Sequence, residues 1–60
     1  MRSYTKSELA ALAGVSLSTF SRWLRRHAEQ LTSLGVMPKA HLLNPRAVRY
    51  VCDLYGIDLL

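Results

Sequence analysis

A glycine at position 14 divides the first half of the chain into two helical patterns, and the residues around it constrain how they meet. Before it, Leu9, Leu12 and Ala13 repeat at the spacing of one helix face. After it, Leu17, Phe20, Trp23, Leu24, His27, Ala28, Leu31 and Leu34 recur at helical spacing. Glycine adopts a left-handed conformation without strain, so Gly14 ends the first helix abruptly. Val15 follows, and Ser16 is the N-cap candidate of the next helix. Ala10 is the small residue needed where two helices cross closely. The pattern predicts two short helices folded against each other through a tight turn.

Further signals bound the remaining elements. Thr5 and Glu8 form a capping box, and Tyr4 and Leu9 a hydrophobic staple, so two start signals agree. The stretch 17–34 reads as one helix or as two with a break near His27. The break is favoured, because a long unbroken helix leaves 60 residues little to fold back on. Gly35 closes this region, and residues 37–43 are extended or turn-like. Asn44 and Pro45 open the last helix as N-cap and N1, with Leu43 and Val48 as a second staple. Val48, Val51, Cys52 and Tyr55 point inward, while Arg46, Arg49 and Asp53 point outward; Tyr50 is expected to be exposed. Gly56 ends the helix, and Ile57, Leu59 and Leu60 are expected to fold back over the core.

The expected fold is therefore all-α: one compact three- to four-helix helix-turn-helix domain over residues 1–60. Helices are expected near 5–13, 17–27, 28–34 and 45–55. Residues 2–4 and 40–43 are extended pieces that allow a minimal two-stranded β pairing. Leu9, Leu12, Phe20, Trp23, Leu24, Val48 and Val51 are the expected core.

Size and composition exclude several functions. A chain of 60 residues buries only about 60% of its unfolded surface, enough for one small core and too little for a roomy ligand pocket. Ser16 sits at a cap, Ser18 and Ser21 lie on the second helix, and the four carboxylates are scattered, so no catalytic set is credible and no enzyme is expected. His27 and His41 have no further ligand at metal spacing, and Cys52 falls on an apolar face as an inert thiol. No metal, cofactor or small-molecule substrate is expected. No apolar run approaches a membrane span, and the polar start lacks the apolar stretch of a secretory leader. With one cysteine, a reducing, cytoplasmic setting is expected.

Charge placement points to a partner. Eight Lys and Arg against four Asp and Glu leave a net charge of +4, a balance suited to polyanions. Residues 15–49 hold Arg22, Arg25, Arg26, Lys39, Arg46 and Arg49 against Glu29 alone. With Phe20 and Trp23 turned inward, Ser16, Leu17, Ser18, Thr19, Ser21, Arg22 and Arg25 face outward or lead the second helix. Small hydroxyls near a helix N-terminus reach base edges and phosphates without clashing, and arginine suits bidentate guanine and phosphate contacts. No acidic residue lies between Glu8 and Glu29, as a helix entering a negatively charged groove requires. The candidate DNA-binding residues are Ser16, Leu17, Ser18, Thr19, Ser21, Arg22, Arg25, Arg26, Lys39 and Arg46.

The stretch Ala-Gly-Val-Ser-Leu-Ser-Thr-Phe-Ser-Arg-Trp-Leu-Arg resembles the turn and recognition helix of phage-type repressors. The layout of Tyr4-Thr5, two helices, an extended piece and a closing helix is similar to excisionase-like and MerR-like domains. It also resembles short bacterial helix-turn-helix proteins associated with mobile elements. Residues 35–43 depart from the excisionase-like pattern, lacking the glycine-rich hairpin of a wing. The resemblance implies a double-stranded DNA binder, nucleoid-associated when bound, that reads the major groove as a small transcriptional regulator or recombination-directionality factor. One recognition helix contacts few base pairs, so a homodimer or a partner protein is expected. Ile57-Asp58-Leu59-Leu60 is the candidate contact. The competing class is a protein-interaction module on the same scaffold.

Overall fold

The computed structural model describes residues 2–37 and 39–59. In chain order the elements are β1 (Tyr4–Thr5), α1 (Lys6–Ala13), α2 (Leu17–Arg26), α3 (Ala28–Ser33), β2 (Leu42–Leu43) and α4 (Pro45–Tyr55). This is a small, mostly helical fold with a minimal antiparallel sheet, as expected. Pro38 and Leu60 lie outside the described residues, and with them the expected fold-back of Leu60.

The start of α1 is held by reciprocal bonds. Glu8 N donates to Thr5 Oγ1 at 3.1 Å, and Thr5 N donates to Glu8 Oε1 at 2.9 Å. Two orphan donors of the first turn are thereby satisfied. Arg2 closes the corner, with Nη2 3.1 Å from Glu8 Oε2 and its guanidinium 3.9 Å from the Tyr4 ring centroid. At the other end Gly14 takes φ 74° and ψ 28°, and Val15 N donates to Ala10 O at 3.0 Å. This left-handed cap turns the chain within residues 14–16, and Ser16 caps α2 by accepting from Thr19 N at 3.1 Å. Ala10 is buried, and its small side chain suits the close packing of α1 on α2.

The helical pattern breaks at His27, which is the C-cap of α2 and the N-cap of α3. No glycine or proline causes it. The imidazole is instead held between two tyrosines of α4, its Nε2 3.1 Å from Tyr55 Oη and its Nδ1 3.5 Å from Tyr50 Oη. Tyr55 also stacks on Trp23, with ring centroids 4.4 Å apart and 11° between planes. Offset stacking at this distance adds about 0.5–1.5 kcal/mol beyond area burial. Tyr50 is half-buried rather than exposed, because its hydroxyl reaches back to His27. Trp23 and Leu12, expected in the core, are half-buried and pack against it from the side.

Asn44 joins α3 to α4. Its Oδ1 accepts from Ala47 N at 2.9 Å as the helix cap, while Nδ2 donates to Leu34 O at 2.7 Å. Gly35 leaves room for this bridge, since a β-carbon there would stand 3.3 Å from Asn44 Nδ2. β1 pairs with β2 in the register Tyr4 with Leu43 and Thr5 with Leu42. The core is one cluster in which Leu9, Phe20, Leu43 and Val48 are fully enclosed. Ile57 is buried in it and Leu59 packs against it. Among the described residues no helix is long and apolar enough to cross a membrane.

Candidate nucleic-acid interface

α2 is fastened by one side and open on the other. Phe20 and Leu24 are buried and Trp23 half-buried, so the opposite side must face solvent. At about 100° per residue, Ser18, Arg22 and Arg25 fall within about 60° of one another around the axis. All three are exposed. Leu17 and Ser21 lie on one flank and join them in lining a shallow concave strip. Thr19 and Arg26 lie on the other flank, Thr19 half-buried and Arg26 exposed.

The hydroxyls differ in what they have left to offer. Ser16 Oγ accepts from Thr19 N and donates to Thr19 Oγ1 at 3.0 Å, so its hydrogen is committed to the cap. Thr19 keeps its own hydrogen as a donor. Ser18 and Ser21 have no side-chain hydrogen bond among the described residues. The guanidinium groups of Arg22, Arg25 and Arg26 are similarly open. Among the described residues the one ion pair is Arg2 with Glu8, at the far end of α1. Arg25 and Arg26 also occupy the last turn of α2, where cations suit the helix dipole.

Two residues that sequence reasoning missed border this strip. Lys6 and His41 line a second hollow together with Leu17 and Ser21, and Lys6 also stands beside Arg25 in a cleft reaching to Met37. The β1–β2 pairing brings them together, since Lys6 N donates to His41 O at 2.9 Å. No local signal marks residues separated by this much chain. Lys39 and Arg46 are exposed, in a turn before β2 and in the first turn of α4. Neither lines the hollows around α2.

The remaining reactive groups are explained by the fold. Burial, and then the neighbouring Asp53, push the Cys52 thiol up, away from the reactive thiolate. The Glu8 carboxyl is held below its ordinary value by the Thr5 N–H and then by Arg2. Its partner Arg2 is raised by the same contact. Among the described residues no three His, Cys, Asp or Glu side chains gather as a metal site. No protein-family model, no curated protein and no solved structure matches the chain.

Proposed function

We propose that the chain is a double-stranded DNA-binding helix-turn-helix protein that reads the major groove with α2. The observation that carries this reading is the open face of α2, where hydroxyls and three arginines without carboxylate partners stand on a helix fixed by its other side. Ten residues make α2 about 15 Å long, and a B-DNA major groove about 12 Å wide admits such a helix. In this reading Ser18, Thr19 and Arg22 contact base edges, while Arg25 and Arg26 hold phosphates where the helix leaves the groove. Ser16 and Ser21 line the approach. Lys39 and Arg46 act as outlying backbone contacts, and Lys6 joins them from the start of α1.

So short a reading head selects a site through a second copy about one helical turn (roughly 34 Å) along the duplex, or through a partner protein. A small transcriptional regulator or a recombination-directionality factor in the bacterial cytoplasm fits these requirements. Ile57 is buried in the chain's own core, so it is not free to make the C-terminal contact with a second copy or another protein. The test is a fluorescence-anisotropy titration with a random-sequence duplex at low salt. Binding that falls steeply as salt rises is expected. An unchanged signal up to a large excess of protein sinks the proposal.

A further inference from the structure

Leu17 is the apolar exception on the open face. It occupies the first position of α2, between Ser16 and Ser18, and the residue is 48% exposed. The core makes little use of it, because α2 anchors itself through Phe20 and Leu24. It borders both the strip holding Arg22 and Arg25 and the hollow holding Lys6 and His41, so it stands where the two meet on the flank of the open face. The first residues of a recognition helix are those that approach base edges in the major groove. Base edges there present donors and acceptors with one apolar feature, the C5-methyl group of thymine.

We propose that Leu17 packs against a thymine C5-methyl group and makes an A·T pair a fixed part of the preferred site. The proposal rests on the DNA-binding reading and deepens it. A leucine has no donor or acceptor to offer a base, so its contribution is the removal of this methyl group from water. Cytosine presents no methyl and brings an amino group that leucine leaves unpaired, so the contact discriminates between the pyrimidines.

The experiment begins with duplexes recovered from a random pool by the wild-type chain. The recovered duplex is remade with deoxyuridine in place of each thymine in turn, which removes one methyl and leaves every hydrogen-bonding group in place. At one position wild-type affinity is expected to fall about fourfold, the cost of returning one methyl to water. L17A is expected to bind the thymine and deoxyuridine forms alike while keeping the wild-type melting curve. Wild-type indifference to every replacement overturns the contact and leaves the DNA-binding reading standing. So does an L17A protein that keeps the wild-type sensitivity. Failure to recover any duplex overturns both.

Discussion

The start of α1 and the open face of α2 carry similar polar side chains and treat them in opposite ways. At α1, Arg2 pairs with Glu8 and lies over Tyr4, while Thr5 and Glu8 exchange bonds with each other's backbone. At α2, Arg22, Arg25 and Arg26 stand without a carboxylate partner among the described residues. Stability alone does not explain the difference, because an exposed ion pair contributes only about 0–1 kcal/mol. What differs is the potential left over. Pairing cancels the Arg2 charge at α1, whereas the absence of acids between Glu8 and Glu29 keeps α2 positive toward an approaching polyanion. Partnered groups here serve the fold, and unpartnered ones are available to a ligand.

The largest expected effect breaks the comparison from beneath. The open face of α2 exists only while its other side is anchored, and Phe20 is the largest fully enclosed side chain there. Phe20→Ala is expected to cost about 3–5 kcal/mol through lost burial and the cavity left behind. A small fold without staples has about that much in total. Circular dichroism should therefore show no cooperative melt for this variant. A wild-type melting temperature would show that α2 is anchored elsewhere.

Substitutions on the open face should separate binding from folding. Arg22→Ala is expected to cost about 1–3 kcal/mol in affinity for a selected duplex and to relax preference at one base pair. Its melting temperature should match wild type. Arg26→Ala should weaken all duplexes alike and lower the salt slope by about one unit. Anisotropy titrations at several salt concentrations read both effects. If either variant loses thermal stability instead, its arginine belongs with the partnered groups and the contrast with α1 disappears.

Local signals made much of this legible in the sequence. The Thr5–Glu8 box, the Gly14 turn, the Ser16 cap and the Asn44-Pro45 start each act over three or four residues, and each stands where its spacing puts it. The inward side of α2 followed from periodicity, and its outward side followed by subtraction. Contacts across the chain were not legible. The break at His27 is legible in the sequence, but its partners Tyr50 and Tyr55 lie 23 and 28 residues away. The same contacts hold Tyr50 half-buried, and the stacking of Tyr55 keeps Trp23 at the edge of the core. Lys6 and His41 meet only through strand pairing, which a two-residue strand hardly announces. The role proposed for α2 adds a chemical argument to this geometry.

The smallest effect sharpens the α1 side of the contrast through pH. The Thr5 N–H, and then Arg2, favour the charged form of the Glu8 carboxyl, so its folded pKa lies below the ordinary carboxylate value. The unfolded chain binds this proton more tightly than the folded one. The stabilisation is therefore fully present above the ordinary value of about 4.3, and it is lost as pH falls through the lowered folded value. Wild-type melting temperature should accordingly decline in acid below about pH 4. In Glu8→Gln the amide still accepts from Thr5 N–H but neither titrates nor pairs with Arg2, so that part of the decline should flatten. Duplex affinity at pH 7 should stay at the wild-type level, because Glu8 faces Arg2 and Thr5 rather than the open side of α2. An unchanged acid slope would remove Glu8 from the groups that hold the fold. A marked change in duplex affinity would show that the charge of α1 reaches the ligand, joining the two regions that the pairing pattern keeps apart.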